Sequence, residues 1–335
     1  MLELAIFGTG RIGQVHAKNL AAQPGVRLKY LVDPIANPAR DDLALRTGAS
    51  VVDAGEAFAD RDVAGVLIAS STDTHADLLL DAVAAKKAIF CEKPISLDFP
   101  TVAKVAAAVE ASGPPVLLGF QRRFDPNFRA VRDRIADGTS GRLEQLVMHT
   151  RDPGPPPISY VKVSGGMLRD QAIHDFDQAR YMTGEEITSV YAVGNCQIDS
   201  EIGAVGDIDS LLVTMTTASG RMIQMSNNRR GPLGYDQRLE AHCANEVLYI
   251  DNRPQNDIRI ASAAGALSAP PMDYFIARFE AAYRAEMVAF VDMIRDGTKP
   301  LAGVHDGLEA QRLAEAALIS INTGQPVKLT PDWQP

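Results

Sequence analysis

Leu2-Glu3-Leu4-Ala5-Ile6-Phe7-Gly8-Thr9-Gly10-Arg11-Ile12-Gly13 decides how the first half of this chain folds. Leu2 to Phe7 is a short apolar run of strand character, and Gln14 to Gln23 has helical spacing. A G-x-G-x-x-G between a first strand and a first helix is where a dinucleotide-binding turn has to lie. Gly8 allows the tight turn, Gly10 lets a pyrophosphate approach the backbone, and Gly13 permits close helix–strand packing. Thr9, Arg11 and Ile12 complete the turn, whose helix N-terminus offers N–H groups to phosphate. The alternative is a plain strand–helix turn. Against it, a second strand, Val26 to Val32, ends in Asp33, twenty residues after Gly13. A carboxylate there accepts hydrogen bonds from the adenosine ribose and repels a 2′-phosphate, which favours NAD over NADP. Arg40 is the residue nearby that could accept such a phosphate.

Outward from this turn, strand and helix signals alternate: Gly65 to Ala69, Thr74 to Ala85, Ala88 to Glu92, Leu97 to Ala111, Val116 to Phe120. That pattern predicts a doubly wound parallel sheet of the Rossmann type, with ligands beyond the carboxyl ends of its strands. Three loops lie at such ends. Ser70-Ser71-Thr72-Asp73-Thr74-His75 offers Ser70, Thr72 and His75 as cofactor contacts, with Thr74 as a helix cap; the alternative is a capped turn. Glu92-Lys93-Pro94 puts a lysine where burial is costly unless a cation is needed, before a bond that can be cis. In Gln121-Arg122-Arg123-Phe124-Asp125 the arginines are either solvated or, Arg123 above all, turned towards a substrate.

The chain has 335 residues, which exceeds one ordinary core, so two domains are expected. Its formal charge of −9 argues against nucleic acid or an anionic membrane as partner. No run of 18 apolar residues occurs, and Met1 to Leu4 has no basic stretch, so neither a membrane span nor a secretory leader is expected. Cys91, Cys196 and Cys243 are far apart and odd in number, which suits buried free thiols in a reducing cytoplasm. No two Cys or His stand at ligand spacing, so no metal is expected.

After about Phe128 the period changes. A helix to Asp137 leads to alternating runs at 143–150, 187–197, 207–217, 222–229, 237–241 and 246–250, several joined by short Gly, Asn or Ser turns. These predict one large, open, mainly antiparallel sheet in an α+β domain, with one face left over for a homodimer or homotetramer. Long helices are expected at 274–296 and 306–322, packing back on the first domain. The boundary falls near 121–127, giving an NAD-binding domain at 1–122 and a substrate-binding and oligomerisation domain at 123–335. Between the first two strands of this half, Gly165-Gly166 follows a Pro-rich loop, and Leu168, Ala172, Ile173 and Phe176 recur at helical spacing. Asp170, His174, Asp177 and Tyr181 would share one face of that helix. A carboxylate one turn before an imidazole fixes its tautomer and stabilises its cation, as a general base requires. The alternative is a solvated face with an i,i+4 pair.

Taken together, Gly8 to Gly13 with His16 and Asn19, Glu92-Lys93-Pro94, Arg122-Arg123-Phe124-Asp125, Gly165-Gly166-Met167 through His174-Asp175-Phe176-Asp177, and Tyr235-Asp236-Gln237-Arg238 resemble the Gfo/Idh/MocA family of NAD(P)-dependent oxidoreductases, within it the inositol 2-dehydrogenases. The anchors span the whole chain. The resemblance implies NAD as cofactor and assigns catalysis to positions matching Lys93, Asp170 and His174, with Asp177 binding substrate hydroxyls. Glu92 and Lys93 join the cofactor contacts, and Arg123, Tyr160 and Tyr235 are candidate polyol contacts. A core tyrosine and a rigid connector are the alternatives for Tyr235 and the 151–160 loop. The expected reaction is oxidation of a secondary hydroxyl of a cyclic polyol: His174 takes the proton, Asp170 orients and charges the imidazole, and Lys93 stabilises the alkoxide. Lysine and histidine both remain open as the proton acceptor. So do myo-inositol, scyllo-inositol and a pyranose such as glucose as substrate. Competing expectations are another sugar dehydrogenase or reductase of the family, a glycoside-cleaving member that uses NAD transiently, and a non-enzymatic NAD-binding sensor.

Overall fold

The computed structural model describes residues 1–335, the side chain of Ser112 excepted. From the N-terminus come β1 (Leu2–Phe7), α1 (Arg11–Ala21), β2 (Val26–Val32), α2 (Pro38–Thr47), β3 (Ser50–Val51), α3 (Ala54–Ala59), β4 (Val63–Ile68), α4 (Thr72–Ala84), β5 (Ala88–Cys91), α5 (Phe99–Ser112) and β6 (Val116–Leu118). The strands form one six-stranded sheet in the order β3-β2-β1-β4-β5-β6, every pair parallel. This is the doubly wound, dinucleotide-binding order expected from the first turn. Parallel strands are covered on both faces, so they run apolar without alternation. Leu4, Ile6, Leu67, Ile68, Ile89 and Phe90 accordingly have no exposure.

Between β2 and β4 stand elements that periodicity does not announce. In α2 only Leu43 is buried; the helix is set by its ends, with Asn37 accepting the N–H of Arg40 and Pro38 in the first turn. Helix α4 starts two residues before the expected cap. Ser71 holds the N-cap position, and the Thr74 hydroxyl instead donates to the Ser71 carbonyl and meets the Ser70 hydroxyl at 2.6 Å.

The chain continues through α6 (Pro126–Ala136), β7 (Leu143–Arg151), α7 (Ile158–Ser164), a π-turn at Met167–Gln171, α8 (Ile173–Thr183), β8 (Ile187–Asn195), α9 (Ser200–Ala204), β9 (Ser210–Thr217), β10 (Met222–Asn228), β11 (Asp236–Cys243), β12 (Val247–Ile250), the hairpin β13 (Arg259–Ser262) and β14 (Gly265–Ser268), α10 (Phe275–Arg278), α11 (Glu280–Asp296), α12 (Val304–Thr323) and β15 (Val327–Lys328). The large sheet has seven strands in the order β12-β11-β7-β10-β9-β8-β15. It is mainly antiparallel, as expected, but β7 and β10 pair in parallel from Gln145↔Met222 to Arg151↔Asn228. Its buried face carries Leu146, Met148, Val190, Val213, Met215, Ile223, Met225 and Leu239. Tyr191, Val193 and Leu212 alternate with buried neighbours and stay exposed.

By contact density the chain divides into two compact units: Met1–Phe124 with Ala281–Glu309, and Asp125–Glu280 with Ala310–Pro335. The first unit therefore borrows α11. Phe290 packs edge-on against Phe90 at 6.0 Å, and a Cβ added at Gly65 would lie 2.8 Å from Ile294, so the helix lies flush on the sheet. In the second unit, Asp125 caps α6 by accepting the N–H groups of Asn127 and Phe128, and its other oxygen takes Arg278 at 2.6 Å. Of the three cysteines, Cys91 is buried, whereas Cys196 and Cys243 are partly exposed, so the expectation of buried thiols holds for one. No helix among the described residues is long and apolar enough to cross a membrane.

Candidate active site

The candidate residues fall into two groups, one in each unit. In the first unit they follow the carboxyl ends of β1, β2, β4, β5 and β6. The three glycines of the first turn differ sharply. Gly8 has φ +92°, and a Cβ there would lie 2.5 Å from Ser70 backbone; one on Gly13 would lie 2.2 Å from the Gly8 carbonyl oxygen. A Cβ on Gly10 meets nothing within 4 Å. Thus two glycines are needed by the protein's own packing and the third opens on space. No side chain caps α1 at Gly10, which leaves that end suited to a phosphate.

Asp33 stands at the end of β2. Its Oδ2 accepts the Thr9 hydroxyl at 2.6 Å and the Thr9 N–H at 2.9 Å, and Oδ1 accepts the N–H of Ile35 at 3.1 Å. Burial works to raise this carboxyl, but those hydrogen bonds outweigh it and hold Asp33 below the usual carboxylate range. The open space at Gly10, the uncapped helix and an ionised carboxylate beside the turn fit NAD. Arg40 is occupied by Asp41 through two nitrogens and by the Asp33 carbonyl. Replacing Asp33 with Asn is expected to lower the NAD-over-NADP preference in kcat/KM by about 10–100-fold, the effect of removing one charge near a phosphate. An unchanged ratio would show that Asp33 does not govern the choice.

His75 is 2% exposed, with Nδ1 2.9 Å from the Pro94 carbonyl and Nε2 3.2 Å from that of Ser70. Burial depresses its pKa. The ring thus ties the Ser70 loop to the Lys93–Pro94 turn, whose peptide bond is cis. Arg123, the candidate polyol contact, is 5% exposed and donates to the Leu301 carbonyl at 2.7 Å and to Asp306 at 2.9 Å, bracing its own unit.

Near Glu92 lies a buried acid that sequence did not single out. His16 Nε2 meets Glu92 Oε1 at 2.7 Å, and Tyr283 of α11 stands edge-on to the same imidazole at 5.7 Å. One turn on, Glu286 is wholly buried and neither carboxyl oxygen has a hydrogen-bond partner. Burial first, and the Glu92 charge second, push its pKa well above the ordinary value. In the unfolded chain this carboxyl titrates near pH ~4.3. Above that pH the folded state binds the extra proton, so stability falls as pH rises towards the folded pKa. Glu286→Gln removes the dependence. Its Tm is expected to exceed that of the parent by about 2–4 °C at pH 8 and to match it at pH 4, by thermal melts at both; an equal difference at both would refute the buried titration.

The second unit carries the acid–imidazole pair. Gly165 and Gly166, both at positive φ, end α7; a Cβ on Gly166 would strike the Asp207 carboxylate at 2.5 Å. Asp207 Oδ1 accepts the N–H of Met167 at 2.9 Å and starts a π-turn, closed by Ala172 N–H to the Met167 carbonyl. A π-turn widens the helix and often marks a functional site. Asp170 and His174 therefore straddle a change of pitch and not one uninterrupted helix. Asp170 Oδ1 accepts the Tyr160 hydroxyl at 3.0 Å, which brings two of the expected substrate residues together. Asp175, next to His174, is 1% exposed and accepts Thr150 of β7 and Asn227 of β10, each at 2.7 Å. That buried tie fixes α8 on the parallel pair. Asp177 is 1% exposed too, whereas Asp170, His174 and Tyr181 on the same expected face are partly exposed. Tyr235 is 6% exposed and packs edge-on against Tyr274 and Phe279, while Asp236 is held by Arg238 and Asn252.

Residues 2–120 match the oxidoreductase family with an NAD-binding Rossmann fold, 128–249 the GFO/IDH/MocA C-terminal domain, and 248–329 the oxidoreductase family's C-terminal alpha/beta domain. The chain belongs to the GFO/IDH/MocA oxidoreductase family. Among its relatives, the inositol 2-dehydrogenase of Rhizobium meliloti is 42% identical over 322 residues, covering 96% of this chain and 97% of that one. A solved myo-inositol dehydrogenase from Corynebacterium glutamicum superposes with TM-score 0.95 at 40% identity, covering 99% of each chain. The scyllo-inositol dehydrogenase of Lactobacillus casei, solved with bound NAD(H) and scyllo-inositol, superposes with TM-score 0.89 at 26% identity, covering 98% of this chain and 99% of that one. As a family member this chain is an oxidoreductase with an NAD-binding domain, in line with the reading of its first turn.

Proposed function

We propose that the protein oxidises a secondary hydroxyl of inositol to the ketone with NAD as acceptor. The observation that carries this reading is full-length similarity to dehydrogenases of myo- and scyllo-inositol. The held Asp170 and the π-turn before His174 supply local support. When bound, the nicotinamide takes the hydride. The imidazole of His174 takes the hydroxyl proton, Asp170 keeps that imidazole oriented and stabilises its cation, and Tyr160 holds Asp170 in place. Lys93 is assigned to the developing alkoxide, and Asp177 to substrate hydroxyls. The test is incubation of purified protein with NAD and myo-inositol, scyllo-inositol or glucose, following NADH absorbance. NADH formation with an inositol supports the reading; none with either isomer overturns it.

The same reading extends to a homo-oligomer in the cytoplasm. Tyr191, Val193 and Leu212, exposed on the open face of the large sheet, support self-association, and three free cysteines support a reducing compartment. A solution mass equal to one chain would remove the oligomer.

A further inference from the structure

Arg229, directly after β10, was assigned no role by sequence, yet it is 1% exposed and among the largest fully buried side chains. Its Nη1 lies 4.0 Å from Asp170 Oδ2 and its Nη2 3.6 Å from Asp207 Oδ2, while Nε and Nη2 make no hydrogen bond. A buried guanidinium needs close, hydrogen-bonded partners to offset its desolvation. Here both carboxylates stand at ion-pair distance and neither closes. Asp207 is already committed through Oδ1 to Met167, and the Arg229 backbone is pinned by its N–H to the Asp209 carbonyl at 2.9 Å. Asp209 in turn accepts the N–H groups of Gln197, Ile198 and Asp199. The cation is thus held in position between two carboxylates at ion-pair distance, and its Nε and Nη2 make no hydrogen bond to either. Asp170 carries the Tyr160 hydroxyl on one oxygen and faces this cation with the other.

We propose that Arg229 is a positioning residue that sets the basicity of the Asp170–His174 pair, an inference that rests on those two residues handling the proton. A fixed cation behind Asp170 draws on the carboxylate's charge and weakens its pull on an imidazolium. His174 is then neutral, and able to accept the hydroxyl proton, at lower pH than an acid–imidazole pair alone would allow. Of the charged and titratable groups here, Tyr160 from α7 and Arg229 from the end of β10 meet Asp170 itself, Asp207 from the loop after α9 meets Arg229, Tyr274 before α10 acts on Tyr160, and His174 follows Asp170 by four residues.

The experiment is the pH profile of kcat/KM for inositol oxidation in Arg229→Met, Arg229→Lys and Asp207→Asn. Removing the cation is expected to move the acid limb up by about one pH unit, so that the rate at pH 6 falls about tenfold while that at pH 9 changes little. Arg229→Lys restores the limb. Asp207→Asn keeps the Oδ1 acceptor but removes the competing charge, and moves the limb down. A lowered plateau with an unmoved limb means a structural role only and overturns the proposal. If Arg229→Met does not fold, an unmoved limb in Asp207→Asn does the same. Inactivity of His174→Ala separates the two layers: a normal rate there defeats the underlying reading, whereas inactivity there with unmoved limbs defeats the role of Arg229 alone.

Discussion

His174→Ala is expected to lower kcat for inositol oxidation by about 10²–10⁴ while leaving NAD affinity unchanged. The magnitude is that of losing a positioned general base. The selectivity follows from placement: His174 sits in the unit that lacks the glycine turn, and its helix is anchored by Asp175 through Thr150 and Asn227. The variant should therefore fold normally. Steady-state NADH formation and NAD titration by fluorescence check the two halves separately. A near-normal kcat would take His174 out of the mechanism and move the proton to Lys93. An equal loss of NAD affinity would mean that the substitution acts on the fold.

The second large effect belongs to the first turn, where two glycine substitutions are expected to fail in different ways. Gly13→Ala places a methyl 2.2 Å from the Gly8 carbonyl oxygen, a backbone atom that cannot turn aside, so α1 must lift from β1. A loss of about 3 kcal/mol or more is expected, read as a fall in Tm of about 6–12 °C, with NAD binding lost. Gly10→Ala meets nothing within 4 Å and should melt with the parent protein, yet bind NAD at least about tenfold more weakly, because the methyl fills space a pyrophosphate would use. If Gly10→Ala binds NAD normally, the phosphates lie elsewhere.

The turn was legible because its mechanism fixes both residue type and position: three glycines after a buried strand and a carboxylate after the next leave little freedom. The strands of the large sheet were legible because one face is dry and the other exposed, which writes a period of two into the chain. That same period is silent about direction, so the parallel β7–β10 pair could not be read. Nor could the π-turn. An i,i+4 spacing of Asp170 and His174 reads as an α-helix, and the widening depends on Asp207, far away in sequence. Buried charge is the hardest to foresee. Arg123, Arg229, Asp175 and Glu286 carry the same letters as solvated residues, and only tertiary neighbours such as Asp306, Thr150 and Asn227 distinguish them.

Helix α11 has a consequence for biosynthesis. Because Phe290 and Ile294 complete the covering of β4 and β5, the first unit stays unfinished on the ribosome until the chain has been made past residue 309. A fragment ending at Phe124 would leave Phe90 and Gly65 bare to water, and expression of that piece alone should yield aggregate. Cutting at the apparent border between halves is therefore the wrong way to obtain a soluble coenzyme-binding module; one would have to splice residues 281–309 back on.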